Sequence, residues 1–124
     1  MKYYLSLGSN INAEKNIAFA IDELNKILSN VIISTTHKTK AEGFEGDDFL
    51  NLVLAGDSNL DFDNLNKKLK AIEDASGRKR DVPKFSARTL DVDIILQLDE
   101  DEIIFESDEI AKYDFVSIPL KEII

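Results

Sequence analysis

The chain has 124 residues, 44% of them hydrophobic and 31% charged, which suffices for one buried core and is too little for two domains. A net charge of −9 argues against non-specific nucleic-acid binding and against docking on anionic membranes, and the lack of cysteine excludes a disulfide framework or a thiolate metal site. No apolar run approaches the ~20 residues of a membrane span, and "MKYYLSLGSN" has no signal-peptide core, so a cytoplasmic protein is expected.

Residues 2–7, "KYYLSL", alternate, with Tyr3, Leu5 and Leu7 on one face, and predict a first strand that ends in the turn chemistry of "GSN". From Asn12, expected as an N-cap, Ile17, Ala20, Ile21, Leu24, Ile27 and Leu28 recur at helical spacing. The β-branched run 31–39 predicts a second strand carrying the single histidine, His37, with no partner expected for it. An acidic, glycine-bearing loop over 40–48 leads to a third strand at 49–56. A second helix starts at about Asp61, with Phe62, Leu65, Leu69 and Ile72 on one stripe and Gly77 placed to stop it. A fourth strand at 89–96, a charged turn at 98–102, a short strand at 103–105 and a last apolar stretch, "FVSIPLKEII", complete the chain. The order β-α-β-β-α-β predicts an α+β fold, the ferredoxin-like plait, in which two helices cover one face of an antiparallel sheet and the other face can hold a site.

Charge is unevenly spread. Residues 78–88, "RKRDVPKFSAR", hold five basic residues and one acid; this net +4 leaves −13 for the rest of the chain. Either a solvated charge run or a seat for a small polyanion, such as a nucleotide phosphate chain, fits that pattern. Just beyond it, alternation along "LDVDII" sets Leu90, Val92 and Ile94 on one face and Asp91 and Asp93 on the other, roughly 6.6 Å apart along the strand. Such a pair suits a polar edge strand, and it equally suits one or two hard cations; oxygen ligands without histidine or cysteine favour Mg²⁺. Arginines crowding upstream of the pair point towards phosphoryl transfer, because their planar donor forks match phosphate. On the third strand Phe49 and Asn51 share a face, a ring beside an amide, which suits either core packing or a flat heterocycle.

"LSLGSNI", "FLNLVLAG" and "IEDASGRKRDVPKFSARTLDVDIIL", in this order and spacing, resemble the 6-hydroxymethyl-7,8-dihydropterin pyrophosphokinases of folate synthesis over nearly the whole chain. The resemblance implies a single pyrophosphokinase-like domain over 1–124, monomeric, moving pyrophosphate from ATP to the hydroxymethyl group of a reduced pterin and releasing AMP. On matching positions it implies that Asp91 and Asp93 hold two Mg²⁺ and that Arg78 and Arg88 close over the phosphates as catalytic groups. It puts Thr39, Phe49, Asn51 and Phe115 around the pterin, with Gly8, Ser9 and Asn10 shaping the pocket floor. It puts Arg80, Lys84, Phe85 and Ile94, with Arg78 and Arg88, on the nucleotide.

The chain departs from the family pattern at several positions. Lys40 and Ala41 follow Thr39 where prolines are usual, Phe85 replaces a tryptophan, and Ser86 replaces a glycine or alanine. Ser107, Asp108 and Tyr113 stand near positions usually held by a histidine and an arginine that bind nucleotide, and acids at 108 and 109 repel phosphates. A non-catalytic or regulatory paralogue that binds a pterin or nucleotide is therefore the alternative to the enzyme.

Overall fold

The computed structural model describes residues 1–41, 46–81 and 87–124. Along the chain run β1 (Lys2–Ser9), α1 (Ala13–Ile27), β2 (Ser29–Ile33), β3 (His37–Thr39), β4 (Phe49–Asp57), α2 (Phe62–Ala75), β5 (Asp91–Asp99), β6 (Glu102–Glu106), α3 (Glu109–Lys112) and α4 (Asp114–Ile123). The strands form an antiparallel sheet in the order β2-β4-β1-β5-β6, and β3 also pairs with β4. The fold is mixed α/β, with helices packed on that sheet. Among the described residues no helix is long and apolar enough to cross a membrane.

Strand alternation sorts the core into two layers. On one face Tyr3, Leu5, Leu7, Leu52, Leu54, Val92 and Ile94 pack against Ile17, Ala20 and Leu24 of α1 and Leu65, Leu69 and Ile72 of α2. On the other, Tyr4, Val53, Ala55, Ile95 and Leu96 pack against Val116 and Leu120 of α4. The closing apolar stretch is thus a helix, and it covers part of the face expected to be open. A bulge explains why Ile94 and Ile95 are both buried. Tyr4 pairs with Leu96 and Leu5 with Ile94, so Ile95 is the extra residue and joins the α4 layer.

Helix ends follow local chemistry in one case and not in the other. Asp61 caps α2 with its carboxylate, accepting from the Asn64 N–H at 2.9 Å, and Gly77 ends the turn beyond it at φ 89°. Asn12 stands at the N-cap of α1 without making a side-chain cap, because it adopts the left-handed conformation at φ 45°. The expected strand 31–39 is divided. Ser34 exchanges bonds with Val53, donating its N–H to the carbonyl and accepting the Val53 N–H on its hydroxyl. The chain leaves the ladder there and returns as β3. His37 is not isolated, as expected, but pairs with Glu122 of α4, which also accepts from Thr35. That clasp ties the last turn of α4 to the approach to β3.

Both sheet edges carry apolar side chains. On β2, Ile32 and Ile33 are exposed; on β6, Ile103 and Ile104 are exposed between Glu102 and Glu106. Phe105 alone turns inward, meeting Phe62 of α2 edge-on with ring centroids 4.8 Å apart.

Candidate active site

Gly8 of β1 pairs with Asn51 of β4 on one side and with Asp91 of β5 on the other. One rung of the sheet therefore reads Asn51–Gly8–Asp91, two strand spacings of roughly 4.8 Å each from end to end. Alternation puts this rung on the α4 face, beyond the part that Val116 and Leu120 cover. Gly8 is needed for room: a Cβ there would lie 3.0 Å from Asn51 Oδ1 and 3.9 Å from the Phe49 ring. With no side chain in its middle, the rung is a floor between an amide and a carboxylate.

At the amide end, β3 sets Thr39 opposite Phe49, and Asn51 Nδ2 donates to Thr39 Oγ1 at 2.7 Å. Thr39 also lines a cavity of about 370 Å³ together with Lys40, Ala41, Lys112, Tyr113, Asp114 and Phe115. The Phe115 ring is already stacked on Tyr113, with centroids 4.8 Å apart and planes at 21°. Thr39, Phe49, Asn51 and Gly8 are thus brought together, with Phe115 on the neighbouring wall.

Ser9 and Asn10 fasten the approach to β5. Ser9 Oγ donates to the Thr89 carbonyl at 2.6 Å. Asn10 donates its N–H to the Arg88 carbonyl at 3.1 Å and accepts the Arg88 N–H on Oδ1 at 2.8 Å, while its Nδ2 reaches the Asp47 carbonyl. Both residues are buried. Their geometry fixes where the Arg88 side chain starts.

At the carboxylate end, β6 has not yet begun to pair with β5, so the edge of β5 at Val92 is open to α2. Two α2 side chains complete it. Glu73 Oε2 accepts the Val92 N–H at 2.7 Å, and Lys70 Nζ donates to the Val92 carbonyl at 3.3 Å. Glu73 is fully buried and also meets Lys70 at 3.1 Å, Arg78 at 3.3 Å and Arg80 at 2.9 Å. Glu73, Asp91 and Asp93 have carboxylate oxygens that all lie within 4.8 Å of one another. The donors are all hard oxygens, the set that suits a Mg²⁺-like ion.

Cations crowd around this acidic cluster. Arg78 and Arg88 each place Nη1 on Asp91, at 3.2 and 3.0 Å, and Lys70 lies 3.1 Å from Asp93. Arg78 Nη1 also donates to the Leu90 carbonyl, while its Nε is buried without a hydrogen-bond partner among the described residues. Burial, reinforced by the neighbouring Asp91 charge, pushes Asp93 up to about 7, against the pull of Lys70. Glu109 of α3 is close enough to feel Asp91 and Arg88, and burial first and Asp91 second raise its pKa.

A family model described as 7,8-dihydro-6-hydroxymethylpterin-pyrophosphokinase matches residues 4–124. The chain belongs to this family. The 2-amino-4-hydroxy-6-hydroxymethyldihydropteridine pyrophosphokinase of Aquifex aeolicus (strain VF5) is 40% identical over 99 residues, which cover 78% of this chain. The chain spans only 61% of that relative's length.

Within this pyrophosphokinase-family chain, the site residues read from the sequence fall into two groups. Arg78, Arg88, Asp91 and Asp93 converge. Arg80 turns instead to the end of α2, donating to Glu73 and to Asp74 at 3.0 Å. Ile94 lies in the core against both helices, 6% exposed, as its alternation with Val92 requires and its assignment to the nucleotide does not. Lys84 and Phe85 lie outside the described residues. Asp108 pairs with Lys112 at 3.0 Å, and Ser107 Oγ accepts the Glu109 N–H, so this segment binds itself.

Glu73 was missed. Its signal was nevertheless in the sequence: Leu65, Leu69 and Glu73 are spaced four apart, so a carboxylate occupies the buried stripe of an amphipathic helix.

Proposed function

We propose that the chain transfers pyrophosphate from ATP to 6-hydroxymethyl-7,8-dihydropterin. The hydroxymethyl oxygen bonds to the β-phosphorus, the bond from that phosphorus to the AMP oxygen breaks, and the hydroxyl proton passes to solvent. The observation that carries this reading is the Asn51–Gly8–Asp91 rung. It sets groups able to read a flat heterocycle and groups able to manage phosphate charge on one face, about 10 Å apart.

On this reading Thr39 and Asn51 hydrogen-bond the pterin edge, and Phe49 and Phe115 supply aromatic faces. Asp91 and Asp93, with Glu73 behind them, would hold Mg²⁺, which when bound supplies positive charge to the phosphate oxygens. Arg78 and Arg88 offer their forks of N–H donors to the charge that develops as AMP leaves. The site thereby works by positioning and charge compensation, without a covalent intermediate. The strand order β2-β4-β1-β5 also supports reading the β-α-β-β-α-β core as a ferredoxin-like plait. We read the unit as a monomer.

The test is incubation with ATP, Mg²⁺ and the reduced pterin, with products resolved by chromatography. AMP and pterin diphosphate should rise in equal amounts. Pterin binding by calorimetry with no AMP would make the chain a binding module, the reading that Asp108 and Glu109 favour.

Gly8→Ala gives a second expectation. The added methyl displaces the Asn51 amide from Thr39, since the side chain can move where the backbone cannot. Pterin should bind roughly tenfold more weakly, the worth of about one hydrogen bond, with thermal stability nearly unchanged. Unaltered pterin affinity would remove Gly8 and Asn51 from the pocket.

A further inference from the structure

The acidic cluster already holds a cation of its own. Lys70 Nζ lies 3.1 Å from Asp93 Oδ1 and 3.1 Å from Glu73 Oε2, so it touches two of the three clustered carboxylates. The arginines nearby are engaged differently: Arg78 bridges Asp91 and Glu73, Arg88 compensates Asp91, and Arg80 lies between Glu73 and Asp74. Among the described residues, Lys70 is the one basic group paired with Asp93.

We propose that Lys70 is a displaceable resident cation, which balances Asp93 and Glu73 in the metal-free protein and competes with divalent ions for Asp93. The inference rests on the metal part of the preceding reading. It does not depend on which molecule is the substrate.

Three features make Lys70 the group that yields. Its side chain is 35% exposed, whereas that of Arg78 is 12% exposed and that of Glu73 is fully buried, so the lysine can leave without opening the core. An ammonium on a flexible four-carbon stem is a mobile point charge, unlike the planar fork of a buried arginine. Among the described residues Asp93 has no other basic partner, and the arginines there lie on Asp91, which leaves its charge for a metal or Lys70. The divalent ion and the ammonium are therefore alternatives at one carboxylate. The metal affinity of the protein is set by the difference between them.

The experiment uses nucleotide-free full chain and Mn²⁺ alone, with free Mn²⁺ read from its paramagnetic resonance signal. Lys70→Met should bind Mn²⁺ about tenfold more tightly than wild type, because one opposing charge has left the site. Lys70→Gln, which keeps a donor for the Val92 carbonyl, should shift in the same direction, and Lys70→Arg should not. Equal or weaker binding by both neutral variants overturns the proposal, as does the absence of binding by every form.

Melting temperatures separate this role from a structural one. In EDTA the neutral variants should melt below wild type, since Asp93 then faces Asp91 and Glu73 without Lys70. In saturating Mn²⁺ that deficit should close or reverse. An equal deficit in both buffers would make Lys70 a strut for the β5 edge and overturn the proposal. Tighter Mn²⁺ binding by the neutral variants, beside a wild type that makes no AMP, leaves this inference standing while the transfer reading falls. AMP formation with unchanged Mn²⁺ affinities does the reverse.

Discussion

On the proposed reaction, Asp93→Asn should abolish turnover, by about three orders of magnitude or more, while the protein stays folded. The amide keeps an oxygen for Lys70 Nζ, now 3.1 Å from Asp93 Oδ1, so the local hydrogen bond survives. What disappears is the negative charge that a hard cation needs, and with it the compensation of phosphate charge. The decisive pair of measurements is AMP formation and thermal unfolding on the same preparation. A variant within tenfold of wild-type activity removes Asp93 from the metal site; a variant that fails to fold makes the aspartate structural.

The same substitution carries a pH signature. Burial and Asp91 hold Asp93 at about 7 in the folded, metal-free protein, above its ordinary 3.8. Between those values the folded state binds more proton than the unfolded one, so the contribution of Asp93 to stability is fully present below pH 4 and is lost as pH rises through 7. Asp93→Asn should flatten this component when denaturation in EDTA is compared at pH 5 and pH 8. Affinity for a divalent ion, if Asp93 is a ligand as proposed, should run the other way, rising through pH 7, because the ion requires the carboxylate.

Glu73 is expected to dominate stability. Replacing it by leucine removes the acceptor of the Val92 N–H at 2.7 Å and leaves Lys70, Arg78 and Arg80 short of a counter-charge at a fully buried position. Breaking a buried charge network from one side costs about 3–5 kcal/mol, enough to lower the melting temperature by ~10–20 °C in a domain of this size. Glu73→Gln should recover part of the loss, since its carbonyl oxygen can still accept from Val92. If leucine and glutamine both cost less than about 1 kcal/mol, the network is not holding α2 to β5.

What was legible in the sequence was whatever repeats within one element. Period-two alternation separated Leu5 and Leu7 from Tyr4, and Asp91 and Asp93 from Val92. The stripe Leu65-Leu69-Ile72 named the buried side of α2. What was hidden depends on pairing between distant segments. Nothing within 31–39 says that Ser34 lends its hydroxyl to Val53 and breaks the strand. The bulge at Ile95 exists only relative to β1. The closing stretch could not be typed because Pro119 sits inside what proves to be a helix, α4.

The site divides along the same line. Asn51, Gly8 and Asp91 were each visible as suitable residue types, but their alignment on one rung is a matter of register. The place of Glu73 on the buried stripe of α2 was readable, but only the open edge of β5 shows what it does. Arg80 read as one of several arginines on a basic loop, yet the geometry spends it on α2.

The bare edge at β6 bears on how this molecule behaves in a crowd of its own copies. Its isoleucines, 103 and 104, stand exposed on a strand that has no outer neighbour among the described residues, the arrangement from which stacked sheets grow. Glu102 and Glu106 bracket them, so two such edges brought together set like charge against like at each end. Those two carboxylates therefore oppose edge-to-edge association, and concentrated salt, which screens them, should thin that barrier to aggregation.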